Sequence, residues 1–316
     1  MLRSLWIGLL LCACALPAAA EQAAKAKRNQ GGFPYPPRMD GAVVEVYKTA
    51  GDVKLNIYIF NPQGHKSSDR SPAIAFFFGG GWTSGSPGQF EPHCRYLASR
   101  GMVAMAADYR VASRHQVKAV DCVRDAKSAL RWIRKNASRL GIDPDRIAAG
   151  GGSAGGHLAA AISTIGKFDE PGEDTSVSSK PNAMVLFNPA VVVAPVRDLD
   201  PGRSVGLRDR LGVEPVELSP YHHVKPGVPP AIIFHGKADT TVPFITVDIF
   251  TQAMKKAGNR CELNDYEGET HGFFNFGRGG NKAFFDTLKK TDRFLASLGY
   301  LTGEPTVDDF SWPSVR

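Results

Sequence analysis

Cysteine is scarce in this 316-residue chain, which has five, at 12, 14, 94, 122 and 261. None forms a Cys-x-x-Cys pair, and His222 and His223 lack the spacing of a helical metal pair, so no metal site is expected. Blocks of consecutive Lys and Arg are also missing. A formal charge of +7 without such a block reads as a solvated basic surface and gives no ground for a nucleic-acid partner. No run of eighteen apolar residues occurs beyond the N-terminus, so no stable membrane span is expected. Internal repeats and low-complexity tracts are absent too. What is left is ordinary globular composition, 43% hydrophobic and 22% charged, in a chain long enough for one large α/β domain.

The first twenty residues read as a leader. "MLRSLWIGLLLCACALPAAA" carries one early positive charge at Arg3, an apolar run from Leu5 to Leu16 and a small-residue ending at Ala18-Ala19-Ala20. This layout predicts a secretory signal peptide cleaved near Ala20, with export to the periplasm or beyond; lipoprotein processing at Cys14 is the weaker alternative. Removing Cys12 and Cys14 leaves Cys94, Cys122 and Cys261, an odd number. At least one thiol then stays unpaired, and the sequence does not choose a pair for one disulfide. Residues 21–40 are polar and rich in Pro and Gly and are expected to form a loose arm. A single domain is expected over 41–300, and a tail over 301–316.

Two β-rich runs, "AVVEVYK" and "KLNIYIFNP", flank "TAGDV" and predict a hairpin. Short apolar runs then alternate with segments of helical period. "AIAFFF" precedes a helix near Gln89–Ser99, and "MVAMAAD" precedes a long one over about Val117–Leu140. In the long helix Val120, Val123, Ala126, Leu130 and Ile133 recur at steps of three and four, which gives one buried stripe. "RIAAG", a helix over Ser153–Ile165, "AMVLF", "PAIIFHG", a helix after Pro243, "CELNDYE" and a helix over about Asn281–Leu298 complete the pattern. Such alternation predicts a mostly parallel sheet covered on both faces, with an antiparallel hairpin at one edge. The irregular stretch 188–229 exceeds a normal connection and is expected to act as a lid or pocket wall.

Gly-x-Ser-x-Gly occurs once in a telling place, at Gly151, Ser153 and Gly155, between a predicted strand and a predicted helix. A tight strand-to-helix turn there would lift the Ser153 hydroxyl above the sheet. Serine needs a base, and the base needs an orienting acid. Asp239 follows the strand "AIIFHG", and His271 follows the next strand and is the only histidine downstream of Asp239. His235 and His157 read as buried structural residues, the first hydrogen-bonded at a strand end. A third feature is "FFFGGGW", where an apolar run meets three glycines. Bare backbone suits the presentation of N–H groups to a developing negative charge.

These motifs together, "FGGGW", "DYR", "GGSAGGH", "HGKADTTVP" and "HGFFN", resemble the carboxylesterases of the hormone-sensitive-lipase and acetyl-xylan or feruloyl esterase kind, over roughly Val43–Leu298. The resemblance implies the α/β-hydrolase fold and a triad of Ser153, Asp239 and His271. It also implies an oxyanion hole from the N–H groups of Gly80, Gly81 and Ala154, and hydrolysis without a cofactor. Trp82 is either a pocket wall or core. Phe78 departs from the family's usual histidine; since backbone donors do not depend on that side chain, a working oxyanion hole is expected. The implied substrate is a short-chain, acetyl-like ester, small or carried on a carbohydrate. Phe273, Phe274 and Phe276 are candidates for a sugar platform, with core packing as the alternative. Two other readings are a prolyl-oligopeptidase-like peptidase, which usually needs a propeller this chain has no room for, and a non-catalytic binding protein, which typically lacks a triad member.

Overall fold

The computed structural model describes residues 33–197, 199 and 207–312. The signal-peptide reading, Cys14 and residues 21–32 of the arm lie outside these. Eight strands form one sheet: β1 (Val43–Ala50), β2 (Val53–Phe60), β3 (Ser71–Phe77), β4 (Val103–Ala107), β5 (Ile142–Gly152), β6 (Ala183–Phe187), β7 (Ala231–Gly236) and β8 (Cys261–Tyr266). Their spatial order is β1-β2-β4-β3-β5-β6-β7-β8. The β1–β2 and β2–β4 pairings are antiparallel, and every pairing from β4 onward is parallel. The expected hairpin therefore stands at one edge of a parallel sheet.

Alternation along the strands explains why the central runs are apolar throughout. On β3, Ala73, Ala75 and Phe77 enter one core while Ile74 and Phe76 enter the other; Met184 and Leu186 against Val185 and Phe187 repeat this on β6. Helices cover both sides. On the first lie α3 (Ala119–Lys135), the helix α4 (Ala154–Thr164) and α7 (Phe244–Lys256); on the second lie α1 (Glu91–Ser99) and α8 (Lys282–Ser297). A one-turn helix α2 (Ala112–His115) precedes α3, and α5 (Leu207–Leu211) and α6 (Pro215–Leu218) lie within the long stretch after β6. The predicted stripe of α3 is buried in full.

Besides that stripe, α3 also buries three charged side chains. Asp125 has no exposed surface and accepts from Lys48 Nζ at 2.7 Å and from Arg110 Nε and one terminal nitrogen at 2.8 Å each. Lys127 and Arg131 pair with Asp169, and Arg131 also with Glu173. Paired in this way, the charges are tolerated in the interior.

Two terminal segments are better packed than their composition suggests. Residues 33–40 do not form a loose arm: Tyr35 donates to Asp108 at 2.8 Å, Ser86 Oγ donates to the Pro34 carbonyl at 2.7 Å, and Met39 is buried. The Arg114 guanidinium stacks 3.5 Å above the Tyr35 ring. At the other end Leu301 and Val307 are buried, and Trp312 packs among Tyr96, Phe276, Phe284, Phe285 and Phe310. The three described cysteines are free and buried, without a disulfide among them.

Candidate active site

Three strands of the parallel sheet deliver three side chains at their carboxyl ends, where sheets of this kind bind ligands. Ser153 follows β5 immediately. Its φ is +53° and its ψ −116°, a conformation that a residue with a Cβ rarely adopts. The glycines around it make the turn feasible. A Cβ on Gly155 would lie 1.9 Å from the Phe77 carbonyl oxygen, and one on Gly151 would lie 2.4 Å from the Gly155 carbonyl carbon. The Ser153 N–H donates to the Phe187 carbonyl at 2.9 Å, which pins the turn to β6.

Asp239 stands in the loop after β7 with its side chain fully buried, and His271 in the loop after β8 with about a quarter of its side chain exposed. His271 Nδ1 lies 2.7 Å from Asp239 Oδ2, and His271 Nε2 lies 2.9 Å from Ser153 Oγ. An ionised carboxylate only accepts, so Nδ1 carries the proton and Nε2 faces the serine hydroxyl as an acceptor. The other Asp239 oxygen accepts the N–H groups of Thr241 (2.8 Å) and Val242 (2.9 Å). Burial disfavours the charge on Asp239, but His271, these backbone donors and neighbouring His235 outweigh it and hold the carboxyl below its usual range. The structure thus brings together residues separated by 118 positions, Ser153 and His271, with Asp239 behind them.

The glycine triplet opens beside this group. Gly79 N–H is already taken, donating to Gln89 Oε1 at 2.6 Å. Among the described residues the N–H groups of Gly80, Gly81 and Ala154 donate to no protein acceptor. Gly80 has φ +133°, and a Cβ there would come within 2.1 Å of the Ser84 carbonyl oxygen. Gly81, Trp82, Ser153 and Ala154 line one cavity together with Ala190, Val192, Val193, Leu207, Arg210, Thr241, Val242, Pro243 and Thr246, about 550 Å³ including its open mouth. Trp82 therefore does both things considered for it, since it lines this cavity and is only 6% exposed. Five of the lining residues come from the 188–229 stretch.

Phe78 is buried and stacks on Tyr109 with ring centroids 4.0 Å apart; the Tyr109 hydroxyl donates to the Phe78 carbonyl at 2.7 Å. The position supports the loop through packing. His235 is buried, donates Nε2–H to the Val242 carbonyl at 2.8 Å, and has its pKa lowered by burial. His157 is buried as well, with its pKa pushed down to about 4 by desolvation. Phe273 and Phe274 are core residues, and Phe276 is half-buried against Trp312, so these rings do not form an exposed sugar platform. Among the described residues no cluster of three or more His, Cys, Asp or Glu side chains could hold a metal ion.

A family profile described as alpha/beta hydrolase fold matches residues 74–275. The chain belongs to this family. Apo esterase 2 of Thermogutta terrifontis is 57% identical over 86% of this chain and all of its own, with a TM-score of 0.83. The propionate-bound form of that esterase is 56% identical, with the same coverages and a TM-score of 0.82. Among curated relatives, the probable carboxylic ester hydrolase LipM of Mycobacterium tuberculosis (strain ATCC 25618 / H37Rv) is 31% identical over 202 residues, 60% of this chain and 46% of LipM. A probable isoprenylcysteine alpha-carbonyl methylesterase of Arabidopsis thaliana is 29% identical over 69% of this chain and 48% of its own length. The chain thus spans about half the length of these curated relatives.

Proposed function

We propose that this α/β-hydrolase is a serine carboxylesterase that cleaves short-chain acyl esters through an acyl-enzyme. The reading rests above all on the bond chain from Ser153 Oγ through His271 to Asp239 at the wall of a small, largely apolar cavity. Ser153 Oγ attacks the ester carbonyl carbon while His271 Nε2 takes its proton. The negative charge on the carbonyl oxygen meets the N–H groups of Gly80, Gly81 and Ala154, and Asp239 stabilises the imidazolium. Collapse expels the alcohol with the proton from His271. Water then attacks the acyl-serine by the same route and releases the acid. No cofactor enters.

The size of the acyl group follows from the cavity, whose walls are Trp82, Ala190, Val192, Val193, Leu207 and Val242. Thermogutta esterase 2 has been captured with propionate and with butyrate, and phosphorylated by paraoxon. At 55–56% identity those acids are apt guides to the acyl group accepted here. Membership of the hormone-sensitive-lipase and acetyl-xylan esterase-like branch, preference for acetyl, deacetylation of a polysaccharide and export after cleavage near Ala20 are narrower parts of the same proposal. Burial of Phe273 and Phe274 favours small esters over a polysaccharide among these.

The test compares p-nitrophenyl acetate, propionate, butyrate and octanoate, and acetylated xylan, with the parent chain and Ser153→Ala. Turnover of the short esters by the parent, steep decline at octanoate and silence of the variant are expected. Equal turnover by Ser153→Ala would remove the serine mechanism. Fluorophosphonate labelling of the parent separates this reading from a non-catalytic binding protein, which would stay unlabelled.

A further inference from the structure

The two halves of the site are joined by side-chain amides that the mechanism above does not use. Gly79 N–H donates to Gln89 Oε1 at 2.6 Å, and Gln89 Nε2 donates to Asn275 Oδ1 at 2.9 Å. Asn275 Nδ2 in turn donates to the Gly272 carbonyl at 2.9 Å, with the Asn275 backbone N–H on the same oxygen at 3.1 Å. Gly79 adjoins the oxyanion donor Gly80, and Gly272 adjoins the base His271.

The direction of every bond in this chain is forced. A backbone N–H only donates, so the Gln89 oxygen must face Gly79. Its NH₂ must then face Asn275, whose oxygen accepts, leaving the Asn275 NH₂ for a carbonyl. A carbonyl is what Gly272 offers. Gly272 is held from the other side too, its N–H donating to Asn188 Oδ1 at 3.0 Å, and Asn188 is fully buried at the end of β6. Gly79 packs against the elbow itself, since a Cβ there would stand 3.1 Å from the Gly152 oxygen and 3.4 Å from Ser153 Cβ.

We propose that Gln89 and Asn275 are positioning residues that lock the oxyanion loop to the loop of the catalytic histidine, so that the donors and the base keep one separation as charge develops. This rests on the serine-esterase reading given above. Three consequences follow from the geometry. The lock occupies Gly79 and thereby limits the triplet's free donors to Gly80 and Gly81. It transmits a shift of either loop to the other. It also acts on the transition state and not on substrate capture, because neither amide lines the cavity.

The experiment is a double-mutant cycle with Gln89→Met and Asn275→Leu, which keep side-chain volume and remove the polar connection. Each single variant is expected to lower kcat for p-nitrophenyl acetate about tenfold with KM within about twofold, and the double variant to match the worse single. A double variant lower by the product of the two, a change confined to KM, or an undiminished kcat would each overturn the lock. Should these variants fail to fold, Gln89→Glu decides. It still accepts from Gly79 but turns a carboxylate oxygen toward Asn275 Oδ1, so it is expected to lose kcat as Gln89→Met would; parental kcat would mean that only the Gly79 acceptor matters. Ser153→Ala run alongside separates the two claims, since activity there defeats the esterase mechanism, whereas its silence with additive effects defeats the lock alone.

Discussion

The indole N–H of Trp82 donates to His157 Nδ1 at 3.2 Å, and His157 Nε2 lies 2.8 Å from the Leu218 carbonyl. Indole only donates, so Nδ1 accepts and Nε2–H donates to Leu218. One buried ring thus connects Trp82, which lines the pocket, to α6 in the long stretch after β6. His157→Leu strands both partners inside the protein, at about 1–3 kcal/mol for each unpaired group. Urea unfolding is expected to show that loss, and intrinsic fluorescence a change in the Trp82 environment. Turnover of the longer esters should shift more than turnover of acetate.

Asp239→Asn is expected to leave the fold in place and lower kcat about 10⁴-fold, because an amide facing His271 Nδ1 favours the wrong tautomer. The parent also gains stability from this carboxylate. Its pKa lies below the ordinary 3.8 in the folded protein, so the contribution is complete above the unfolded value and is lost as pH falls through the folded one. Below about pH 4 the difference in unfolding midpoint between parent and variant should therefore narrow.

His93 is fully buried among Phe76, Phe90, Phe187, Phe274 and Phe284, and neither ring nitrogen has a partner. Desolvation pushes its pKa down to about 3, and that of His157 to about 4. Burial raises Asp108 to about 6 in spite of its Tyr35 and Arg114 partners. Between about pH 4 and 6, unfolding lets His93 and His157 take up protons, joined by His115, His222 and His235, whose pKa values burial also lowers, while Asp108 releases one; uptake wins. Stability should thus fall on acidification through that window, with each histidine held neutral in the fold contributing up to about 1.4 kcal/mol per pH unit. His93→Leu should make the slope shallower by about 1.4 kcal/mol per pH unit, measured as urea unfolding at pH 6, 5 and 4.

Two glycine-to-alanine variants should separate space from backbone conformation. Gly155→Ala puts a Cβ 1.9 Å from the Phe77 carbonyl oxygen and is expected to abolish soluble expression or cost well over ~3 kcal/mol. Gly81→Ala meets nothing within 4 Å but must hold φ at +63°, which costs about 1–2 kcal/mol. Circular dichroism melts of the two variants, set against the parent, check the contrast.

The alternation of runs and helical periods was enough to anticipate the sheet and its edge hairpin, because buried parallel strands and amphipathic helices leave local patterns. The order Ser153, Asp239, His271 was legible for a similar reason: each residue sits just past a strand. Gln89 and Asn275 gave no such signal. They are 186 positions apart, and polar residues in loops look alike whether they face water or each other. The buried charges of α3 left no sequence signal, because pairing with Lys48, Arg110 and Asp169 arises only once the chain is folded. Tyr35 and Met39 lay hidden in a Pro-rich segment whose composition matches that of unattached linkers.

The positive φ of Ser153 also bears on how such a protein would change under mutation alone. At this backbone angle glycine is the relaxed residue, so Ser153→Gly removes strain and the proposed nucleophile in one step. Inactivation and stabilisation lie in the same direction there. A lineage relieved of the need for ester hydrolysis would meet no folding barrier to losing it, and a hydrolase fold kept only for binding is then an easy destination.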